Sequence, residues 1–367
     1  MADLFDYLDW RGDLTFDAVG VGPADALIFS ALSYIRYDGL VPEGFQNPVP
    51  LEVVADAFAA LPDKEERVLL RQDAPLLMAA AATERYRNVK LVFYNSATIP
   101  EQESQFAAVA FLLPGETAVL AFRGTDATLV GWKEDFNMSF QDRIPAQEKA
   151  LYYTQSFAQC FDQKLILCGH SKGGNLAVYA ASRCPGQIQD RILGVYNNDG
   201  PGFTASLMGD PGYRAMVPRI HSFVPQSSVV GMLMEHEEPY TVIKSRQVSI
   251  LQHDPYSWEV MGGGFVPVSG VSDDSRLVNQ TVKAWLSSRT PAERNAFVDA
   301  VFELLGTGEV DSTREIMMPW NILNYLRTLN EDDGIRRIIG KELSDLVRMA
   351  VSLRRQKDTP ALPKQGK

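Results

Sequence analysis

The stretch LILCGHSKGGNLAVYAA constrains this chain more than any other. An apolar strand runs into Gly169-His170-Ser171-Lys172-Gly173-Gly174, and an apolar helical pattern follows at once. Glycines are required at such a junction because side chains there would collide with the strand or the helix. The sharp turn between them holds Ser171 in strained backbone geometry. The spacing is G-x-S-x-G in its required strand-turn-helix context. Phosphate-binding loops also join a strand to a helix through glycines, but at other spacings. Ser171 is therefore the candidate nucleophile. Lys172 follows at the helix N-terminus, where a backbone N–H and the helix dipole together stabilise a developing oxyanion.

The surrounding pattern agrees with such a junction. Upstream, VKLVFYNSATI, SQFAAVAFLL and ETAVLAF are predicted as successive strands, with Pro114-Gly115 between the last two. From Phe122 onward strands and helices alternate: a helix at 145–161, strand KLILC, a helix to about 183, then strands ILGVYN and RIHSFV. Alternation of this kind marks a parallel sheet covered by helices. A further strand pair, YTVIKS and VSILQH, is expected to end at His253. Helices are also predicted over the apolar pattern Ala26 to Ile35 and over 74–87. Beyond about residue 275 the strands stop. Thr290-Pro291-Ala292-Glu293 is a capping box with a first-turn proline. Ile335, Ile339, Leu343, Leu346, Ala350 and Leu353 recur near the helical period and need something to pack on. The expected architecture is an α/β-hydrolase domain over 1–274, built on a mostly parallel central sheet, with a helical appendage over 275–367.

Composition narrows the function by exclusion. A net charge of −11 with no dense Lys/Arg cluster argues against nucleic acid as a partner. The basic tail Arg354, Arg355, Lys357, Lys364 and Lys367, broken by Pro360 and Pro363, reads as a solvated terminus. Cys160, Cys168 and Cys184 lack metal-ligand spacing and read as reduced, buried thiols. The acidic start MADLFDYLDWRGD is no signal peptide, and no apolar run is long enough to span a membrane, so a cytoplasmic location is expected.

AFRGTDATLVGWKEDF, GHSKGG and HDPYSW together resemble the class 3 lipase group, and more closely a bacterial family of lipase-like proteins whose N-terminal segments are similar to FDYLDWRGDLTF. The resemblance covers roughly residues 5–265. It implies that Phe122-Arg123-Gly124-Thr125 supplies the other oxyanion donor, so Thr125 is assigned that part through its backbone N–H and its hydroxyl. Trp132 and Asp135 match the same pattern. For Arg123 and Asp135 an ion pair or cap that shapes the loop is the favoured reading.

A base must lie downstream of the nucleophile in this fold, which leaves His221, His236 and His253 of the four histidines. His221 falls inside a predicted strand and reads as packing. His236 lies in the acidic run Glu235-His236-Glu237-Glu238 and reads as a solvated loop. His253 opens HDPYSW, which resembles the segment that carries the lipase histidine, and it is the candidate base. The acid is where the chain departs from that group, because Pro225, Gln226, Ser227, Ser228 and Val229 follow RIHSFV without a carboxylate. One strand earlier, Asp199 stands just after VYNN. Strand ends about 4.8 Å apart make it a workable substitute. Asp199 is the choice for orienting the imidazole, with Asp254, or a dyad using Gln226, Ser227 or Ser228, as alternatives.

The reading is a serine hydrolase that cleaves a small-molecule or lipid ester through an acyl-enzyme, without metal or cofactor. The rival is a non-catalytic binding or scaffold protein that keeps the fold. Val229, Val230, Met232, Leu233 and Met234 either line an acyl pocket or pack in the core.

Overall fold

Four consecutive segments, TAVLAF, KLILCGH, ILGVYNN and IHSFVP, are apolar almost throughout, as strands covered on both faces must be. They lie side by side at the centre of an eight-stranded sheet in a computed structural model that describes residues 2–126, 128–138, 141–306 and 319–358. The strands are β1 (Val49–Pro50), β2 (Lys90–Ile99), β3 (Ser104–Leu112), β4 (Thr117–Phe122), β5 (Lys164–His170), β6 (Ile192–Asn198), β7 (Ile220–Pro225) and β8 (Tyr240–Ile243), and their spatial order is their chain order. β1 to β4 pair antiparallel and β4 to β8 pair parallel. The fold is α/β, with a mostly parallel sheet and helices at the C-terminal end of the chain.

Register decides where chemistry can occur. Phe122 pairs with Gly169, His170 with Asn198, and Asn198 with Phe223, so β4 to β7 end at one edge. The loops that begin at Arg123, Ser171, Asp199 and Gln226 therefore leave the sheet side by side.

Alternate residues of each strand feed opposite faces. Ala118, Leu120 and Phe122 of β4 join a core with Phe157, Leu176 and Ala180, from α6 (Pro145–Cys160) and α7 (Lys172–Arg183). Val119 and Ala121 face the other core with Leu27 and Phe29 of α2 (Pro23–Leu32). The predicted 74–87 helix is shorter, Asp73–Ala81. Cys168 and Cys184 are buried, and burial pushes both thiols up to about 12; Cys160 is exposed, contrary to the expectation for it.

One expected strand is absent. VSILQH forms a 3-10 turn, Ser249–His253, instead of an extended partner for β8. The free edge of β8 is already taken: Lys244 N–H donates to Val266 O and Val268 N–H to Val242 O. With no edge to join, Val248, Ile250 and Leu251 stay exposed.

The chain divides into two compact units, Met1–Val271 and Ser272–Lys367. The second is helical over Asp273–Ser287, Pro291–Gly306, Pro319–Glu331 and Asp333–Asp358. The predicted capping box is formed, with Thr290 N–H on Glu293 Oε2 at 2.9 Å and Glu293 N–H on Thr290 Oγ1 at 3.3 Å. Within this unit Ile335 and Ile339 pack with Ala300, whereas Leu343 of the same predicted stripe is exposed. Arg354 and Arg355 lie in the last turns of the final helix, and Pro360, Pro363, Lys364 and Lys367 lie outside the described residues. Among the described residues no helix is long and apolar enough to cross a membrane.

Candidate active site

The turn from β5 into α7 is tight enough to strain Ser171, whose φ of 58° and ψ of −134° belong to a region that L-residues avoid. Glycine makes the turn possible. A Cβ on Gly169 would stand 2.1 Å from the carbonyl carbon of Gly173, and one on Gly173 would stand 2.1 Å from the oxygen of Phe122. The helix start thus rests directly on the ends of β5 and β4. Ser171 N–H donates to Asn198 O at 2.9 Å, which ties the turn to the end of β6. Ser171 itself is half-buried, and its hydroxyl makes no hydrogen bond among the described residues.

Asp199 is the next residue after that acceptor. It has a φ of 55°, a conformation that Asp and Asn tolerate better than most side chains. Its N–H donates to Phe223 O at 2.8 Å, and its side chain is fully buried. Oδ2 lies 2.6 Å from His253 Nδ1, and Oδ1 accepts from Ser228 Oγ at 2.5 Å. An ionised carboxylate only accepts, so Nδ1 carries the proton and the lone pair of the neutral imidazole sits on Nε2. His253 is the last residue of the 3-10 turn, and its side chain is 26% exposed. No hydrogen bond joins its Nε2 to Ser171 Oγ; contacts of this kind are commonly long until substrate binds.

Of the alternatives to Asp199, the side chains of Asp254 and Ser228 are engaged elsewhere. Asp254 accepts from Tyr256 N–H at 3.0 Å and from Gln247 Nε2 at 2.8 Å. Gln226 N–H donates to Ile243 O, and Ser227 N–H to Gln252 Oε1. Ser228 reaches Asp199 rather than the imidazole.

Two histidines differ from their sequence reading. His236 is not a solvated group: it pairs at 3.1 Å with Glu238, a buried carboxylate that also accepts from Tyr213 and Ser222. His221 is exposed and stacks on Tyr196 with ring centroids 5.0 Å apart. The apolar run after β7 is half-buried, with Met232 packed on Val224, Val242 and Val271.

Beyond β4, Thr125 Oγ1 donates to Asp135 Oδ2 at 2.5 Å, so its hydroxyl proton is committed. Asp135 lies on α5 (Leu129–Met138), and burial raises its carboxyl to about 6 against the pull of Lys172. Arg123 pairs with Asp126 at 3.6 Å, not with Asp135. The side chain of Trp132 lies outside what the structure describes.

The side chain of Lys172 is committed as well. Its first-turn N–H has no acceptor within α7. Its ammonium is held by Glu134 Oε2 at 2.9 Å, by the backbone and side-chain oxygens of Gln105 at 3.1 Å each, and by Asp135 Oδ1 at 3.7 Å. Lys172 and Glu134 are each 1% exposed. Removing one member of such a pair leaves a buried charge without its partner. Lys172→Met is therefore expected to lower unfolding free energy by about 3–5 kcal/mol in urea titration. A loss below about 1 kcal/mol would mean that Glu134 is satisfied by the Gln105 and Ala146 amides it already accepts from.

Two contributors carry no sequence signal for their part here. Ser228 braces Asp199, and Tyr34, far upstream, reaches His170 with its hydroxyl 3.1 Å from Nδ1.

The structure is similar to that of M37 lipase, at 14% identity over 57% of this chain and 68% of the lipase, with a TM-score of 0.35. It is also similar to Rhizomucor miehei lipase in its propeptide complex, at 14% identity over 65% of this chain and 79% of that one, with a TM-score of 0.36. Likenesses of that size leave the functional reading to the site's own geometry. No curated protein matches the chain significantly. The family model described as Mbeg1-like matches residues 80–303, more than half of the chain.

Proposed function

We propose, for a chain that belongs to the Mbeg1-like family, that the site is that of a serine hydrolase of the α/β-hydrolase class acting on carboxylic esters. The observation that carries this reading is the buried Asp199 carboxylate, 2.6 Å from His253 Nδ1, at the sheet edge where Ser171 occupies a strained turn. Ser171 Oγ attacks the ester carbon while His253 Nε2 takes its proton, and Asp199 stabilises the imidazolium that results. The backbone N–H groups of Thr125 and Lys172 receive the tetrahedral oxyanion. Its collapse breaks the carbon–oxygen bond to the alcohol, which leaves with the proton from His253. Water, deprotonated by the same nitrogen, then attacks the acyl carbon; the bond to Ser171 Oγ breaks, His253 returns the proton to that oxygen, and the acid is released. The exposed aliphatic side chains of Val248, Ile250 and Leu251, just before His253, favour an apolar acyl or lipid group over a charged one.

A fluorophosphonate probe tests the reading directly, because it needs an activated serine and nothing of the natural substrate. The expected result is one covalent adduct, located on Ser171 by peptide mass spectrometry. p-Nitrophenyl esters of graded length should be turned over by the same protein. A chain that takes no label and cleaves none of them is the binding protein of the rival reading.

A further inference from the structure

His170 occupies the first variable position of the G-x-S-x-G motif, and the mechanism above gives it no task. It is 95% buried, which is unusual for an imidazole beside a catalytic turn. Its Nε2 lies 2.8 Å from the backbone oxygen of His253, and its ring lies 4.5 Å from the His253 ring, centroid to centroid. A carbonyl only accepts, so Nε2 carries the hydrogen. Burial and the neighbouring His253 keep the ring neutral, which leaves Nδ1 as an acceptor for the hydroxyl of Tyr34 at 3.1 Å. One bond thus fixes the tautomer that the other needs. Tyr34 is also wedged into the oxyanion loop, since a Cβ on Gly124 would stand 2.1 Å from its hydroxyl and 3.1 Å from Ser171 Cβ.

We propose that His170, fixed by Tyr34, is a positioning residue: it pins the backbone of His253 so that the ring keeps its place between Asp199 and Ser171. This deepens the hydrolase reading and rests on it. The 3-10 turn that ends at His253 carries two exposed aliphatic residues, Ile250 and Leu251, and belongs to no strand, so the bond from His170 is an anchor for its last residue. Tyr34 precedes the segment that the family model matches, so residues outside that segment complete the site.

The test uses the full chain and four proteins: wild type, His170→Leu, His170→Gln and Tyr34→Phe. Fluorophosphonate inactivation rates are measured beside kcat and KM for one p-nitrophenyl ester. A displacement of about 1 Å can cost 10²-fold, so His170→Leu should lose roughly 10- to 100-fold in kcat and in inactivation rate, with KM nearly unchanged. His170→Gln, which restores an N–H donor of similar reach, should return most of that loss. Tyr34→Phe should lose about threefold or more, and because it removes one oxygen atom it serves even if His170→Leu does not fold. A labelled wild type whose Leu and Phe variants keep its rate overturns the positioning role alone. A wild type that takes no label overturns the hydrolase reading, and this proposal with it.

Discussion

Ser171→Ala is expected to lower ester turnover by about 10⁶-fold while moving the melting temperature by no more than about 2 °C. The two halves of this result have separate causes. Turnover falls because the attacking oxygen is gone, and the oxyanion donors and His253 alone give only the residual rate that a nucleophile-free site retains. Stability hardly moves because the hydroxyl makes no hydrogen bond among the described residues and the side chain is only half-buried. Alanine keeps Cβ, so it also keeps the strain of φ 58°. Ser171→Gly should be equally inactive yet more stable by about 1 kcal/mol, since the strain relieved, roughly 1–3 kcal/mol, exceeds the extra entropy of a glycine in the unfolded chain. A Ser171→Ala protein that retains most of its turnover would remove the central claim. A Ser171→Gly protein that is less stable than wild type would mean that the turn is not strained.

What could be read without the structure follows from how far each signal reaches along the chain. The turn at Ser171 is legible because all of its determinants, the strand, the glycines and the helix, lie within 17 residues. The order of β4 to β7 is legible because alternating strands and helices admit few topologies, and that order puts the residue after β6 next to the one after β7. Hence Asp199, though displaced by one strand from where the lipase pattern puts its acid, lies within reach of His253. VSILQH was misread because apolar alternation records what a strand needs and not whether a sheet edge is vacant, and Val266 and Val268 had already filled it. The bond from Ser228 to Asp199, as opposed to the imidazole, and any part for Tyr34 are hidden for a different reason. A serine after a strand and a tyrosine after a helix are ordinary, and the contacts that give them meaning span 29 and 136 residues. The buried pair of Lys172 and Glu134 is hidden in the same way, since two charged residues 38 positions apart announce nothing about burial.

Asp199→Asn should lower turnover by about 10⁴-fold, and the reason lies in Ser228 as much as in His253. Asparagine keeps the shape and tolerates φ 55°, so the backbone stays as it is. Its amide has one acceptor end and one donor end where the carboxylate had two acceptors. Ser228 Oγ already accepts Gly231 N–H at 3.0 Å and donates to Asp199 Oδ1 at 2.5 Å, so it asks position 199 for an acceptor. His253 Nδ1–H asks for one too, and asparagine satisfies only one of the two. When its oxygen goes to Ser228, its NH₂ faces Nδ1 and drives the proton onto Nε2, the nitrogen that has to receive the proton of Ser171. The Asp199→Asn site would then hold the wrong tautomer in an intact fold. Removing the competitor should reverse part of this. In Asp199→Asn/Ser228→Ala the asparagine oxygen is released to His253, and turnover is expected to recover about tenfold or more over Asp199→Asn, a coupling within the range for residues in one hydrogen-bond network. Turnover of wild type, both single variants and the double variant, with melting temperatures alongside, completes the cycle. An Asp199→Asn enzyme that is stable and fully active would show that the 2.6 Å contact does not set the tautomer, while additive losses in the double variant would show that Ser228 does not decide which way the amide turns.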